Sequence, residues 1–490
     1  MIQVKIMEKI KRNTIGVLIL LVGLYLALIG YFCYAVLFYG DRWFSDSYNT
    51  RVKMDARQPR IIPGDILDRN GDKLAWTEKK AVKNPETGRN EDYYTRVYYS
   101  KASSVAHVVG FHNSEYGRMG VEAFHIYYLM GYNNSLIEKI YQKAFLAQER
   151  GNDVVLTVDR RLQEYISGLV SAHKKKGSVV LLNPKTGEIL AMVSYPTFDP
   201  NNIKKFEDDT LVNRATQGLF PPGSIFKLVT AASALDNIGD IRQITFNCPG
   251  NILIDGQGVR CYQGKAHGEL DIKQALTVSC NTFFARLGVE IGWKKLLNTG
   301  KGFGFNDDFL FSDIKVTPSS LPINYRVSEQ ELAWSAIGQG KVLVTPLHMA
   351  MLAASIGNDG IMMEPKLVYK VIGRNGNIQK QLQPDVYKTA MSYENANILK
   401  EMMEAVVLEG TGKNARSGKV GIAGKTGTAE KGSSGSDSSN LAWFVGFAPA
   451  DDPTLAIAVL IEDVGQGHTG GSEAAPLARK AIEKAVELGY

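Results

Sequence analysis

Phe220-Pro221-Pro222-Gly223-Ser224-Ile225-Phe226-Lys227 is the stretch on which the reading of this chain turns. Two prolines fix φ and a glycine permits positive φ, so the run opens with a breaker. Ile225, Phe226, Leu228, Val229, Ala232 and Leu235 then follow helical spacing with no further breaker, which predicts a helix beginning here. Ser224 falls at its start and Lys227 one turn on, so the amine is expected to reach the hydroxyl. Serine is a weak nucleophile unless a base takes its proton, and a partly desolvated lysine is such a base. N–H groups at the helix N-terminus supply donors for a developing oxyanion. Spacing alone does not single the stretch out. Ser171/Lys174 and Ser312/Lys315 repeat it, and about two matches are expected by chance in a chain this long.

The 490 residues leave room for roughly two or three domains. The net charge of +6 is spread along the chain, so no nucleic-acid surface is expected. The histidines and cysteines form no His-Glu-x-x-His or Cys-x-x-Cys pattern, and neither a metal site nor a cofactor is expected. Cys248 and Cys261 bracket a Gly-rich segment; a disulfide in an oxidising compartment and two free thiols stand as equal alternatives. Thr14 to Tyr39 is almost wholly uncharged and long enough to cross a bilayer as one helix. Lys5, Lys9, Lys11 and Arg12 precede it, which places residues 1–13 in the cytoplasm and the rest of the chain outside. A cleaved signal peptide fits less well, because the apolar run is long and no small-x-small site follows it.

Residues 40–155 read as a small α+β module: Asn70-Gly71 turns a hairpin between Ile66-Leu67 and Leu74-Ala75. Lys79 to Arg96 reads as a charged loop, and Gly117 to Leu129 as helical. From 156 to 490 the pattern is α/β. Val154 to Val158 is a strand, Asp159 caps a helix to His173, and Ser178–Leu182 with Glu188–Ser194 form a hairpin. An extended Gly-rich stretch runs from Phe246 to Gly268, and a helix starts near Asp271. A turn and one long helix fill Ala333 to Ile356, with another helix over Glu394–Leu408. Three strands (Val420–Thr428, Leu441–Ala448, Leu455–Ile461) and a helix from Ala474 to Val486 close the chain. Strands near both ends, with helices between, predict one antiparallel sheet flanked by helices plus a mostly helical subdomain.

Two further short motifs matter. Ser279-Cys280-Asn281 is one of three Ser-x-Asn matches, beside Ser47 and Ser438. Lys-Thr-Gly occurs at Lys185, in a hairpin turn, and at Lys425, where glycines on both sides of a strand allow close approach of a ligand backbone. The order Ser224-x-x-Lys227, Ser279-x-Asn281, Lys425-Thr426-Gly427 resembles the penicilloyl-serine transferase group. Ala336-Ile337-Gly338-Gln339-Gly340, Gly410-Thr411-Gly412 and Ala442-Trp443-Phe444-Val445-Gly446 extend the resemblance over roughly residues 155–485. The segment 40–155 is too short for the glycosyltransferase domain of class A members. The chain therefore resembles a class B penicillin-binding protein: an anchor at 14–39, a pedestal or dimerisation-like module at 40–155, and a β-lactamase/transpeptidase-like domain at 156–490. It departs from the family at Pro63, where an arginine is usual.

The resemblance implies a bacterial membrane protein that cross-links peptidoglycan stem peptides ending in D-Ala-D-Ala and is acylated by β-lactams. Ser224 is implied as nucleophile, Lys227 as its base, Ser279 as proton relay to the leaving amine, and Asn281 as a holder of Lys227 and the substrate amide. Lys425 would help keep Lys227 neutral. Lys425, Thr426 and Thr428, with Gly427 between them, resemble a carboxylate-holding strand, and the N–H groups of Ser224 and Thr428 an oxyanion hole. A polytopic membrane glycan polymerase serving elongation, division or sporulation is the implied partner. A D,D-carboxypeptidase or β-lactamase, differing in letting water resolve the ester, and a non-catalytic scaffold or β-lactam sensor are the alternatives.

Overall fold

Gly177–Leu182 and Ile189–Tyr195 are apolar at nearly every position and buried throughout except at Tyr195, as strands covered on both faces must be. In the computed structural model, which describes residues 2–44, 61–83, 90–113, 116–134, 149–203, 209–431 and 439–490, they lie in a five-stranded antiparallel sheet. Its order is Ile189–Tyr195, Gly177–Leu182, Leu455–Val464, Ser439–Ala448, Ala423–Lys431. The C-terminal part of the chain thus completes a sheet begun some 260 residues earlier, with Ala458 opposite Val180. Alternation sorts the side chains. Val179, Leu181, Phe444 and Val459 face the helices Arg160–Ala172 and Ala475–Glu487. Val180, Leu182, Trp443, Val445 and Ala458 join the larger core with Lys227–Asn237, Pro346–Gly357 and Tyr393–Leu408.

Pro346–Gly357 is the buried brace behind this sheet. Thr345 caps it by accepting from the His348 N–H, proline occupies its first turn, and all twelve residues are buried. The turn and long helix expected over Ala333–Ile356 appear as the end of a helix Glu329–Ala336, a turn, and the helix Pro346–Gly357. Gly338 and Gly340, both at positive φ, interrupt them.

A second, six-stranded sheet runs Ile378–Gln381, Val368–Ile372, Asp153–Leu156, Ile66–Leu67, Lys73–Lys83, Asn90–Tyr98. The Asn70-Gly71 hairpin is present, with Ile66 opposite Ala75. The stretch expected as a charged loop, Lys79 to Arg96, is mostly two paired strands, Glu78 facing Thr95 and Lys80 facing Tyr93. Its charges and tyrosines alternate along a half-exposed ribbon, a pattern that hides strand periodicity among polar residues. Asp153–Leu156 pairs with both Ile66–Leu67 and Val368–Ile372, so this sheet straddles the boundary expected at 155/156. Beside Pro63, Arg96 donates to the Gly64 carbonyl at 2.8 Å and pairs with buried Glu122 at 2.6 Å. Gly64 itself lies against the Asn152 carbonyl, leaving no room for a Cβ. The helix Ile2–Phe44 contains a segment, Lys11–Ala35, long and apolar enough to cross a membrane.

Leu352, 1% exposed in the brace helix, and Leu253, 71% exposed in a hairpin, separate core packing from surface. Leu352→Ala is expected to destabilise the folded protein by about 2–5 kcal/mol, while Leu253→Ala changes it by less than about 0.5 kcal/mol, read by urea unfolding.

Candidate active site

The breaker before Ser224 is a docking device. Gly223 has φ +55°, and a Cβ there would stand 2.6 Å from the Thr428 carbonyl oxygen. Its N–H donates to the Gly338 carbonyl at 2.8 Å, and Trp443 Nε1 donates to the Pro221 carbonyl at 3.0 Å. The turn Gly223–Phe226 is 3₁₀ and continues as the helix Lys227–Asn237. It is pressed on the strand Ala423–Lys431 at Gly427, where a Cβ would come within 3.0 Å of the Pro222 carbonyl and of Ile225. That strand is the edge of the central sheet. Ser224 is half-buried at the meeting point.

Ser279 arrives from the end of the helix Ile272–Thr277. The Ser279 N–H bonds the Leu276 carbonyl at 3.1 Å and the Cys280 N–H the Ala275 carbonyl at 2.8 Å, the two bonds of a Schellman ending. Its left-handed position is usually glycine, yet here it is serine at φ +57°. That costs about 1–2 kcal/mol, strain of the kind held at functional sites. The chain turns at once into the helix Asn281–Ile291, so Asn281 sits in its first turn.

Three side chains converge on this corner. Lys227 is fully buried, and its Nζ donates to the Ser279 carbonyl at 2.8 Å, to Ser279 Oγ at 3.3 Å and to Asn281 Oδ1 at 2.6 Å. Lys425, equally buried, donates to Ser279 Oγ at 2.9 Å and to the Thr426 carbonyl at 2.9 Å. Asn281 Nδ2 donates to the Arg260 carbonyl at 2.8 Å, which fixes its amide with oxygen toward Lys227. Burial lowers the Lys227 amine to about 8, against smaller opposing contributions from Cys280 and Cys261. Burial, reinforced by the charge of Lys227, pushes Lys425 well below the ordinary lysine value. The two amines share one hydroxyl, and each disfavours the charged form of the other.

Of the expected residues, Lys227, Ser279, Asn281 and Lys425 form one hydrogen-bonded set. Ser224 Oγ has no hydrogen-bond partner among the described residues: the three donor directions of Lys227 go to Ser279 and Asn281 instead. Thr426 Oγ1 meets Thr411 Oγ1 at 2.6 Å, and Thr428 Oγ1 accepts from the Gly470 N–H at 3.3 Å. Thr411, in the Gly410-Thr411-Gly412 block, therefore belongs to the site although no role was expected for it. Its N–H also donates to the Thr277 carbonyl, tying the edge strand to the Ser279 helix end. The competing motifs are surface features. Ser171 Oγ donates to the Gly168 carbonyl, Ser312 Oγ to Glu364, and Lys185 pairs with Asp452, all exposed. Ser47 and Ser438 lie outside the described residues.

A family model described as penicillin binding protein transpeptidase domain matches residues 177–483. Peptidoglycan D,D-transpeptidase PbpA of Mycolicibacterium smegmatis is 33% identical over 467 residues, covering 89% of this chain and 93% of that protein. Stage V sporulation protein D of Bacillus subtilis is 32% identical over 421 residues, covering 80% of this chain and 64% of that protein. Among solved structures, the ceftriaxone acyl-enzyme complex of penicillin-binding protein A from M. tuberculosis has a TM-score of 0.79 at 30% identity, covering 87% of this chain and 99% of that one. With this match across most of its length, and with the three motifs joined in one corner, the chain belongs to the penicillin-binding protein transpeptidase family, as a class B member.

Proposed function

We propose that the chain is a peptidoglycan D,D-transpeptidase acting through an acyl ester on Ser224. The observation that carries this reading is Ser279 Oγ held between two buried lysine amines, beside the turn that docks Ser224 on the edge strand. A stem peptide ending in D-Ala-D-Ala pairs with the free side of Ala423–Lys431 as an added strand. Its terminal carboxylate is received by Lys425, Thr426 and Thr428. A carboxylate there restores the charge that burial removes from Lys425.

Ser224 Oγ attacks the penultimate D-Ala carbonyl and passes its proton to neutral Lys227. The oxyanion is held by the N–H groups of Ser224 and Thr428, each worth about 3 kcal/mol in such sites. The C–N bond breaks as the proton moves from Lys227 through Ser279 Oγ to the departing D-Ala nitrogen, which leaves Lys227 neutral again. An amine of a neighbouring stem peptide then attacks the ester, loses a proton, and releases Ser224 with its hydroxyl restored. A β-lactam follows the first half of this path and stays as a slow ester. Residues 14–39 anchor the chain with the catalytic region outside the cell membrane, 40–155 act as pedestal, and a polytopic glycan polymerase is the membrane partner.

Purified full-length protein given nascent glycan bearing pentapeptide stems, with its polymerase, is expected to form cross-linked dimers and release D-Ala. Trimmed monomers alone would make it a carboxypeptidase, and rapid turnover of penicillin a β-lactamase. Ser224→Ala is expected to abolish labelling by a fluorescent penicillin, and undiminished labelling would overturn the assignment. Ser279→Ala should slow labelling by about 10²-fold or more while the protein remains folded; labelling at the normal rate would remove Ser279 from the relay.

A further inference from the structure

The Ser224 turn is held from two sides, and the donor peptide takes only one of them. On one side lies the edge strand Ala423–Lys431, which receives the D-Ala-D-Ala stem in the reading above. On the other lies Gly338, whose carbonyl accepts from the Gly223 N–H at 2.8 Å, and where a Cβ would stand 2.0 Å from the Gly223 carbonyl oxygen. Two residues past Gly338, at Gly340, the surface opens into a cavity of about 340 Å³. Ile323, Arg326, Val327, Glu331, Trp334 and Lys341 line the rest of it, and the acylation chemistry uses none of them. We propose that this cavity is the acceptor subsite: the amine-bearing stem peptide that resolves the Ser224 ester lodges there, a carboxylate on Arg326 and its apolar body against Trp334.

Charge, shape and placement each support that occupant. Lys341 is already paired with Glu331 at 3.1 Å, whereas Arg326 has no carboxylate partner among the described residues. The cavity therefore carries one uncompensated guanidinium, a planar fork that takes a carboxylate in two parallel bonds, and stem peptides carry carboxylates. Backbone bonds set the place of that arginine: its N–H donates to Asn324 Oδ1 at 2.9 Å, and the Val327 N–H to the Asn324 carbonyl at 3.0 Å. Ser328 then caps the helix Glu329–Ala336 by accepting from the Glu331 N–H at 3.1 Å, and this helix brings half-buried Trp334 to the cavity wall. An indole there offers a flat apolar face at small entropic cost. Gln330, on the same helix, donates its side-chain N–H to Gln257 Oε1, so the hairpin Asn251–Ile254 with Gln257–Arg260 bounds the cavity. That hairpin ends at Arg260, whose carbonyl holds Asn281 Nδ2. The cavity thus adjoins both the turn of the nucleophile and the segment that presents Asn281.

Reach fits the reaction. Gly340 is at most about 7.6 Å from Gly338 along the chain, and one hydrogen-bonded step joins Gly338 to Gly223. About four extended residues span that path, so a peptide seated in the cavity can bring its amine to the ester from the side opposite the donor strand. The nitrogen bonds to the acyl carbon, the bond to Ser224 Oγ breaks, and the proton lost by the nitrogen ends on Ser224 Oγ. Water needs no such seat, so the subsite sets the ratio of cross-linking to hydrolysis, and Arg326 and Trp334 determine acceptor specificity. This assignment rests on the transpeptidase reading, whereas binding of the peptide to acylated protein does not require any turnover.

The test uses detergent-solubilised full-length protein and, as probe, an N-acetylated tetrapeptide stem with one side-chain amine at its third residue, its carboxylates either free or amidated. Binding is followed by titration calorimetry on protein whose Ser224 is blocked by penicillin. On unblocked protein, aminolysis and hydrolysis products are counted by mass spectrometry after acylation by a D-Ala-D-Ala donor peptide. The free-carboxylate probe is expected to bind about tenfold tighter than the amidated one, and Arg326→Ala to erase that preference. The same variant should lower the ratio of aminolysis to hydrolysis by about fivefold or more, the ester going to water instead. Trp334→Ala should weaken both probes alike; because it can fail to fold, exposed Arg326 carries the decisive arm. Equal affinity for the two probes, or an unchanged preference in Arg326→Ala, would overturn the subsite even while cross-links form. An uncharged N-acetylglucosamine oligomer binding in place of the peptide, and weakened by Trp334→Ala, would assign the cavity to glycan and overturn the acceptor. Hydrolysis alone with either probe, while Ser224 still labels, would overturn the transpeptidase reading and the acceptor with it.

Discussion

Two lysine amines lie in the interior, and neither has a carboxylate partner among the described residues. Lys227 and Lys425 instead share the hydroxyl of Ser279. Charging both would place two neighbouring cations in a desolvated pocket, which burial and their mutual repulsion both oppose. The pocket therefore favours a shared, incomplete protonation, the condition a lysine base needs near neutral pH. Most of the surrounding architecture can be read as what holds those two amines and one hydroxyl in place.

Three backbone devices do that holding. The Schellman ending of Ile272–Thr277 forces Ser279 into the left-handed region and turns the chain straight into Asn281–Ile291. Gly223 and Gly427 remove the two side chains that would keep the Ser224 turn off the edge strand. Thr411 ties that strand to the helix end through Thr426 and the Thr277 carbonyl. The helix Pro346–Gly357 backs the sheet from within the core, so the edge strand has a rigid support.

Local signals made much of this legible in the residues. Asp159 caps the helix that its position suggests, and the late strands pair antiparallel as their short connections imply. The three short motifs converge although Lys227 and Lys425 are 198 positions apart in the chain. What escaped reading was long-range or polar. The ribbon Lys73–Lys83 with Asn90–Tyr98 is a pair of strands written largely in charges and tyrosines. Val368–Ile372 pairs with Asp153–Leu156, more than 200 residues earlier, a partnership that no local pattern shows. Thr411 became visible only when folding brought distant segments within hydrogen-bonding reach. The lowering of both lysine amines likewise depends on burial, which no spacing reveals.

The central claim is that a lysine amine lowered by burial takes the proton of Ser224. The most direct measurement is the second-order rate of acylation by a slow chromogenic cephalosporin as a function of pH. With Lys227 lowered to about 8, the reactive neutral form grows as pH rises through that value. The rate is predicted to climb nearly tenfold per unit below it and to level above it, following the macroscopic titration of the lysine pair. A rate that stays flat or falls between roughly pH 6 and 8 would contradict the account, because no neutral lysine would then be limiting.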